Sequence, residues 1–312
     1  MSQEKHKGPA GPERPSARFV VDGHAIPAPP LASGLYIVAT PIGNLGDMSL
    51  RALATLAAAD LIACEDTRVT RVLLDRYGID VRLTAYHDHN AVRQRPKLLA
   101  ALARGEAVAL VSDAGTPLVS DPGYRLVSEA LEAGHDVVPI PGASAVLAAL
   151  VASGLPNDTF LFGGFLPPKA AARRKRLGEF IATPSTLVFF ESAPRLAPSL
   201  ADMADVLGGN RDAVVARELT KRYETVRRGR LAELADDFAS QPPPKGEIVV
   251  LVGPPVRVEP DAGQIDELLS RLIEEHSLGE AAAMAAKETG MSRRALYQRA
   301  LALKKGGDDG AT

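Results

Sequence analysis

Acidic side chains follow directly after several short apolar runs in this sequence of 312 residues. Glu65 and Asp66 come after Leu-Ile-Ala-Cys, with Arg68 close behind, and Glu191 comes after Leu-Val-Phe-Phe. Charged groups at the end of a buried strand contribute little to packing, whereas carboxylates in a cleft can take up or deliver a proton. The pattern predicts that these residues lie at the rim of a ligand cleft. For Glu65 and Asp66 the alternative is the start of a helix, where acids and a capping Thr67 are favoured.

The longest motif with chemical meaning covers residues 108–123 and reads VALVSDAGTPLVSDPG. An apolar run of strand length leads into two turn-forming clusters, and helical spacing begins at Tyr124. A strand, a small-residue loop and a helix form a common ligand site at the carboxyl end of a sheet. Gly115 lets backbone approach a ligand closely, and Asp113 is placed to accept hydrogen bonds from it. A tight connecting loop without a ligand is the alternative.

Two other loops follow strand-like runs and are rich in small residues. Residues 41–47 contain two glycines after the run 35–40, and residues 141–145 open a helix. Backbone N–H groups at a helix start, together with the Ser144 hydroxyl, suit the polar atoms of a ligand, although a plain helix cap explains Ser144 as well. Neither loop contains a GxGxxG pattern or a Walker lysine.

The segment His87-Asp88-His89 raises the question of a metal site. No further histidine or cysteine stands at a ligand-like spacing, and Cys64 is the single cysteine of the chain. A polar loop in which Asn90 caps the following helix explains the cluster better. We therefore expect no metal ion.

Positive charge is concentrated in one short run, although the whole chain has a formal net charge of -2. The cations of this run are Lys169, Arg173, Arg174, Lys175 and Arg176. Without a global basic signature, any contact with nucleic acid must be local, and this run suits phosphate groups. A solvated helix face is the alternative.

Composition and hydropathy limit the classes of protein to which the chain can belong. A hydrophobic content of 46% is ample for folded cores, and the length suggests about two domains. No apolar run approaches the ~20 residues of a membrane span. No signal-peptide core follows Met1, and one cysteine excludes an intrachain disulfide. We expect a cytoplasmic protein without membrane contact.

Strand-like and helical patterns alternate along most of the chain and predict an α/β fold. Residues 1–33 are proline-rich and are predicted to be a disordered extension. Residues 34–153 and 157–254 are predicted to form two α/β domains, and 264–305 a tail of three helices. The first tail helix has an apolar stripe and the last is basic. This combination suits RNA binding or packing onto another surface.

Taken in order, the motifs resemble one family. VATPIGNLGDMSLRAL, CEDTR, DAGTPLVSDPG, PGASA, FGGFLP, RELTK and KGE resemble signatures of the tetrapyrrole-methylase-like S-adenosylmethionine methyltransferases. CEDTR resembles most closely the branch that 2′-O-methylates a cytidine of 16S ribosomal RNA. The resemblance extends over about residues 35–303, and the order of several motifs is more specific than any one of them.

The resemblance implies two α/β domains with the cofactor, S-adenosylmethionine, in the cleft between them, and a homodimer. It implies 16S ribosomal RNA within the small ribosomal subunit as the substrate. The ribose 2′-hydroxyl must then be aligned with the methyl group and must lose its proton. The candidate proton acceptors are Glu65, Asp66, Glu191 and Glu218, and Lys221 is the candidate for positioning or polarising the hydroxyl.

The remaining site residues lie on the matching motifs and in the basic segments. The cofactor-binding candidates are Pro41, Gly43, Asp113, Ala114, Gly115, Thr116, Pro117, Val119, Ser144, Ala145, Phe165 and Gly246. The RNA-binding candidates are Arg68, Lys169, Arg173, Arg174, Arg176, Arg293 and Arg294.

Two other functions are compatible with parts of the sequence. The first is methylation of a small tetrapyrrole, against which CEDTR and the basic run argue. The second is a non-catalytic module that binds S-adenosylmethionine or the ribosome, against which the number of cleft acids and the presence of Lys221 argue.

Overall fold

The computed structural model describes residues 17–255 and 262–308. The chain forms two compact units, which divide between Pro255 and Val256. Among the described residues, the larger unit contains two five-stranded sheets and a hairpin, and the smaller unit is helical. The predicted fold class, two α/β domains followed by a helical segment, is confirmed. Residues 1–16 of the predicted extension and residues 256–261, which precede the predicted tail, lie outside the described part.

A β-hairpin precedes the first sheet and corrects the prediction of disorder over 1–33. Strands β1 (Arg18–Val21) and β2 (His24–Pro27) pair antiparallel. The turn between them is Asp22-Gly23, with positive φ angles of 51° and 79°, and Asp-Gly is a strong hairpin signal. The Phe19 side chain is buried in the core of the first domain. The sequence analysis did not predict these strands, because they are short and proline-rich sequence surrounds them.

The first sheet is parallel and brings the predicted ligand loops to one edge. Its strands are β3 (Gly34–Val38), β4 (Leu61–Cys64), β5 (Leu83–Ala85), β6 (Ala107–Val111) and β7 (Val137–Ile140), in the order β5-β4-β6-β3-β7. The strands alternate with helices α1 (Leu50–Ala58), α2 (Thr67–Arg76), α3 (Ala91–Ala103), α4 (Tyr124–Glu132) and α5 (Ala145–Ser153). Because the strands are parallel, every loop that leaves a strand emerges at the same edge.

The second sheet is mixed and has the order β11-β10-β12-β9-β8. Its strands are β8 (Phe160–Phe165), β9 (Thr186–Ser192), β10 (Asp212–Arg217), β11 (Thr225–Arg230) and β12 (Glu247–Val252). Helices α6 (Ala170–Gly178), α7 (Leu196–Met203) and α8 (Leu231–Ala239) complete the domain. Strand β11, with the sequence TVRRGR, was not predicted, because an edge strand with arginines lacks an apolar pattern.

Alternate residues of the central strands enter different cores, as the two-residue period of a strand requires. In β12, Ile248, Val250 and Val252 pack with the helices α6, α7 and α8, whereas Val249 and Leu251 face the opposite side. Helix α5 covers that opposite side. It follows the first sheet in the chain, but Val146, Ala149 and Leu150 pack on the second sheet. Helix α5 therefore joins the two domains within the larger unit.

The smaller unit contains helices α9 (Ala262–Glu275), α10 (Leu278–Thr289) and α11 (Arg293–Asp308). Its core is formed by Ile265, Leu269, Ala282, Ala285, Leu296 and Ala300. Ser277 caps α10 in a reciprocal pair with Glu280. Arg293, Arg294 and Tyr297 are exposed at the start of α11. No described helix is long and apolar enough to cross a bilayer.

Candidate active site

A cavity of about 490 Å³ lies where the loops after β3, β6 and β7 face the second sheet. Most of its wall consists of apolar or small residues, including Ile42, Phe165 and Phe190. The polar side chains on the wall belong to Thr116, Ser120, Asp121, Ser144, Glu191, Ser192 and Glu247. An apolar cavity of this size with a few polar groups is typical of a small-ligand site.

Hydrogen bonds join the loops of the first domain to one another. The backbone N–H of Thr40 donates to the Gly115 carbonyl at 2.9 Å, and that of Gly115 donates to the Thr40 carbonyl at 3.0 Å. The Thr116 hydroxyl donates to the Ala143 carbonyl at 3.1 Å. Gly115 has a φ of +83°, and a Cβ there would lie 3.3 Å from Ile42 Cγ2. Gly115 is thus required by its backbone conformation at the wall of the cavity.

On the opposite wall, the Glu191 carboxylate is buried and fully engaged by neighbouring donors. It accepts hydrogen bonds from the Ser199 hydroxyl at 2.5 Å, the Ser192 backbone N–H at 2.7 Å and Arg195 Nη2 at 3.3 Å. Glu191 is only 3% exposed. This network orders the wall and occupies the carboxylate with donors from the protein.

Lys221 links the two domains beside the cavity. Its ammonium donates to Glu218 Oε1 at 2.9 Å and to Glu247 Oε2 at 2.6 Å. Its methylene stem lies against Gly43, where a Cβ would be 2.3 Å from Lys221 Cγ. Glu218 in turn fills the space at Gly246, where a Cβ would lie 2.3 Å from Glu218 Oε1. Both glycines are needed because these side chains pass over them.

The charges of this lysine and its carboxylates stabilise one another. Partial burial lowers the pKa of Lys221, but hydrogen bonds to Glu247 and Glu218 outweigh that effect and raise the pKa above its usual value. The Glu247 backbone N–H and Lys221 lower the pKa of Glu218. Lys221 is therefore a cation at neutral pH, and Glu218 is a weak proton acceptor.

A group of carboxylates lies on the first-domain side of the cavity. Burial raises the pKa of Glu65, and the negative charges of Asp113, Asp121 and Asp88 raise it further, while His87 opposes them. Asp121 lines the cavity. Burial also raises the pKa of the Asp121 carboxyl. Negative neighbours and partial burial make a carboxylate hold a proton more tightly, so Glu65 is a stronger base than an ordinary glutamate.

Asp66 differs sharply from its neighbour Glu65. Its carboxylate accepts hydrogen bonds from the side chain and backbone N–H of Arg68, which lower the pKa of Asp66 to about 2. Asp66 also precedes α2 as its cap. The alternative that a helix begins here is therefore correct for Asp66, although Asp66 itself is the cap and Thr67 is the first helical residue. The Arg68 side chain is exposed, and its guanidinium forms an ion pair with the Asp66 carboxylate.

Eight of the twelve cofactor-binding candidates line the cavity, namely Ala114, Gly115, Thr116, Val119, Ser144, Ala145, Phe165 and Gly246. The structure gives the other four different surroundings. Asp113 accepts a hydrogen bond from the Asp66 backbone N–H at 3.0 Å. Gly43 lies under Lys221, and Pro41 and Pro117 are buried.

The basic run forms α6, and most of its arginines are paired within the protein. Arg173 is 4% exposed, and its Nε lies 2.7 Å from Asp202 Oδ2. Arg174 contacts Asp202 and Asp205 at 3.0 and 2.9 Å. The prediction of phosphate binding is wrong for Arg173, because this face of α6 packs toward α7.

The last turn of α6 is also partly committed to internal contacts. Arg176 pairs with Glu179, and its guanidinium lies 4.6 Å from the centre of the Phe180 ring. Lys169 and Lys175 are exposed. The cations of α6 that remain available to a polyanion are thus fewer than the sequence indicated.

Several residues of the cavity wall were not predicted. Asp121 belongs to the same VSDPG turn as residues that were, and Glu247 follows the predicted Gly246 directly. An acid within a recognised motif was the available signal for both. Phe190 and Ser192 flank the predicted Glu191, but nothing in the sequence distinguished them from ordinary strand residues.

Two family models match the chain, one on each side of the division between the two compact units. Residues 34–235 match the family described as Tetrapyrrole (Corrin/Porphyrin) Methylases. Residues 259–304 match the family described as RsmI C-terminal HTH domain.

Curated relatives are similar over most of the chain. A protein named Ribosomal RNA small subunit methyltransferase I from Mesorhizobium japonicum is 60% identical over 91% of this chain and 97% of its own length. Proteins of the same name from Pseudomonas aeruginosa and Escherichia coli O157:H7 are 50% and 49% identical, each over 86% of this chain and over 97% and 94% of their own lengths.

Solved structures share the fold. The cobalt precorrin-4 methyltransferase CbiF has a TM-score of 0.54 at 17% identity, over 70% of this chain and 94% of that chain. The conserved hypothetical protein APE0931 from Aeropyrum pernix K1 has a TM-score of 0.56 at 18% identity, over 89% of this chain and 98% of that chain.

Proposed function

This chain belongs to the ribosomal RNA small subunit methyltransferase I family of the tetrapyrrole methylase superfamily, and we propose that it methylates the ribose 2′-oxygen of a cytidine in 16S ribosomal RNA with S-adenosylmethionine as the donor. The single observation that carries the substrate class is that a relative named Ribosomal RNA small subunit methyltransferase I is 60% identical over 91% of this chain. The likeness to CbiF concerns the fold alone and gives no support for a tetrapyrrole substrate.

The cavity fits the proposed cofactor in size and in chemistry. A volume of about 490 Å³ suits a nucleoside joined to an amino acid. Ile42, Phe165 and Phe190 offer apolar surface for the adenine, and the Thr116 and Ser144 hydroxyls offer partners for polar atoms. Gly115 keeps the 114–116 backbone close to the ligand without a side chain. When bound, S-adenosylmethionine supplies an electrophilic methyl group on a cationic sulfur.

Among the acids, Glu65 is proposed as the group that accepts the proton of the 2′-hydroxyl. Its raised pKa makes it a better base than Asp66, whose pKa of about 2 reflects its hydrogen bonds with Arg68. Glu191 and Glu218 are occupied by protein donors. Lys221 is proposed to place a positive charge near the hydroxyl, which stabilises the oxygen as it loses its proton.

The RNA is proposed to contact cations that are exposed on the two units. At α6 these are Lys169 and Lys175, with weaker contributions from Arg174 and Arg176 because of their internal partners. On α11 they are Arg293 and Arg294. Phosphate contacts of this kind provide affinity and orient the RNA, while the cavity selects the reacting nucleotide.

We also propose that the enzyme is a cytoplasmic homodimer. Helix α5 exposes Leu147 and Val151, which are 52% and 75% exposed and stand one helical turn apart. Apolar side chains next to each other on an exposed helix face favour association with another surface. A second copy of the chain is the partner that this proposal requires.

A methyl-transfer assay tests the proposed function. Purified small subunits, naked 16S ribosomal RNA and uroporphyrinogen are each incubated with radiolabelled S-adenosylmethionine. We expect label in ribosomal RNA, and we expect one linkage of the product to resist alkali, because a 2′-O-methyl group removes the nucleophile for strand cleavage. Methylated but alkali-labile RNA would identify a base as the acceptor, and label only in uroporphyrinogen would refute the RNA substrate.

A further inference from the structure

The loop that connects β10 to β11 has a tightly fixed backbone. Glu218 and Thr220 have positive φ angles of 53° and 66°, which residues other than glycine rarely adopt. The Thr220 backbone N–H donates to Glu224 Oε2 at 2.6 Å, and the Glu224 N–H donates to the Lys221 carbonyl at 3.1 Å. Such a conformation persists when its surroundings hold it in place, and it is often found at functional sites.

This loop presents an aromatic ring and a cation to solvent. The Tyr223 side chain is 64% exposed, and the Arg222 guanidinium lies 5.6 Å from the centre of its ring. The Tyr223 carbonyl accepts a hydrogen bond from Arg217 Nη2 at 3.2 Å, which fixes the backbone beneath the ring. The tyrosine fills no core, so packing does not account for an aromatic residue at this position.

Tyr223 is close in sequence to residues that line the cavity. Leu219, at the start of the loop, lines the cavity, and Lys221 contacts Glu247, which lines it as well. Tyr223 stands two residues after Lys221, so their Cα atoms are at most ~7 Å apart. That distance corresponds to about two base steps of a stacked strand, at ~3.4 Å each.

We propose that Tyr223, assisted by Arg222, stacks an unpaired base that neighbours the methylated nucleotide. Unpaired RNA bases are commonly held on aromatic rings and on arginine guanidinium planes, and the cation also attracts the adjoining phosphate. A fixed platform would hold the strand so that the target ribose enters the cavity beside Lys221. The inference rests on the proposed RNA substrate and adds the subsite for a flanking base.

The test compares three variants of the full-length protein. Tyr223→Phe keeps the π-face, Tyr223→Leu removes it at similar bulk, and Arg222→Ala removes the cation. The control is Arg104→Ala, because Arg104 precedes β6 and therefore lies at the edge of the first sheet opposite the cavity loops. Melting temperatures are measured for all variants and are expected to match the wild type, because Tyr223 and Arg222 are exposed.

Two readouts separate the subsite from the overall activity. The first is the KM for small-subunit RNA and for S-adenosylmethionine in the methyl-transfer assay. The second needs no methyl transfer: it is the fluorescence of 2-aminopurine placed beside the cytidine of a short RNA, which falls when that base stacks. We expect Tyr223→Leu to raise the KM for RNA about 5- to 100-fold and to abolish the fluorescence decrease. Tyr223→Phe should retain both, and the KM for S-adenosylmethionine should not change.

The outcomes distinguish the subsite from the proposed function. If Tyr223→Leu shows the wild-type KM for RNA and the wild-type fluorescence decrease, the stacking subsite is wrong while the RNA methyltransferase activity stands. If the wild type methylates no RNA, the proposed function fails, and the fluorescence readout then decides separately whether Tyr223 stacks a base. Equal losses in Tyr223→Phe and Tyr223→Leu would assign the effect to the hydroxyl and overturn stacking.

Discussion

At the scale of single residues, the four acidic catalytic candidates and Lys221 fall into distinct classes once their partners are known. Glu191 and Glu218 are held by protein donors, and Asp66 is held by Arg68. Lys221 remains charged between Glu218 and Glu247. Burial and carboxylate neighbours raise the pKa of Glu65. Proton transfer is therefore expected to depend on Glu65.

Glu65→Gln should lower kcat by about 100-fold or more, because a positioned general base contributes ~10²–10⁴ to the rate. In the wild type, kcat should fall as the pH falls through the raised pKa of Glu65, since the protonated carboxyl cannot accept a proton. The fall should therefore begin at a higher pH than for an ordinary glutamate. Single-turnover rates as a function of pH measure both effects.

Asp66→Asn is the matched control for Glu65→Gln. It removes one negative charge from the same loop, but hydrogen bonds from Arg68 lower the pKa of Asp66 to about 2, so Asp66 stays ionised over the pH range of the assay. It should preserve the cap of α2, because an amide oxygen accepts the same backbone hydrogen bond, and leave the acid limb of the pH profile in place. A pH profile that shifts with Asp66→Asn and not with Glu65→Gln would exclude Glu65 as the base.

Gly43→Ala should displace Lys221 and reduce kcat, because the added Cβ would lie 2.3 Å from the lysine stem. Gly134→Ala is the control, since that glycine also has a positive φ but has nothing within 4 Å of a Cβ. Both variants should lose stability through backbone strain, and Gly43→Ala alone should lose activity at temperatures where both are folded. Equal activity in the two variants would show that Lys221 tolerates displacement.

At the scale of elements, α6 has a structural face and an exposed face. The ion pair of Arg173 with Asp202 is buried, so Arg173→Ala should destabilise the protein. The loss should be smaller than the ~3–5 kcal/mol of breaking an isolated buried pair, because Arg174 still contacts Asp202. The free energy of unfolding in urea measures this loss. An unchanged free energy of unfolding would mean that solvent reaches Asp202 and replaces the arginine.

The exposed face of α6 should affect RNA binding without affecting stability. Lys169→Ala combined with Lys175→Ala should reduce the slope of log K against log salt by about 0.7 for each phosphate that the protein no longer neutralises. The free energy of unfolding should remain within ~0.5 kcal/mol of the wild type. An unchanged salt dependence would identify this face as solvated only.

At the scale of the whole molecule, the cavity and the helical tail belong to different compact units. All residues that line the cavity precede Pro255, and the tail has a core of its own. Binding of the cofactor should therefore be independent of the tail, whereas binding of the RNA should use both.

A chain that ends at Pro255 should fold and bind S-adenosylmethionine with wild-type affinity, as measured by calorimetry. Its KM for the ribosomal substrate should rise, and kcat at saturating substrate should recover much of the wild-type value, as expected when only uniform binding is removed. Full activity at low substrate would show that the tail makes no contact with RNA. A truncated chain that is insoluble or monomeric would assign the tail a structural or dimer-forming role.

The local order of strands, small-residue loops and helices was readable from the sequence, because buried parallel strands and their turn residues have strong patterns. The loops around Gly115 and Ser144 were therefore correctly expected to end strands of one domain. Elements with weak hydrophobic patterns, such as the arginine-rich β11 and the hairpin before β3, could not be predicted from the sequence.

The roles of charged residues were decided by the tertiary structure alone. The sequence presented Glu65 and Asp66 as equals and the cations of α6 as one group, since a pattern shows residue types without their partners. The local turn at the start of α2 pairs Arg68 with Asp66. Folding brings Asp202 to Arg173 and Glu247 to Lys221, which also contacts Glu218. Because the Coulomb energy of an ion pair depends on distance and burial, those contacts determine which charges stabilise the fold and which remain available to a substrate.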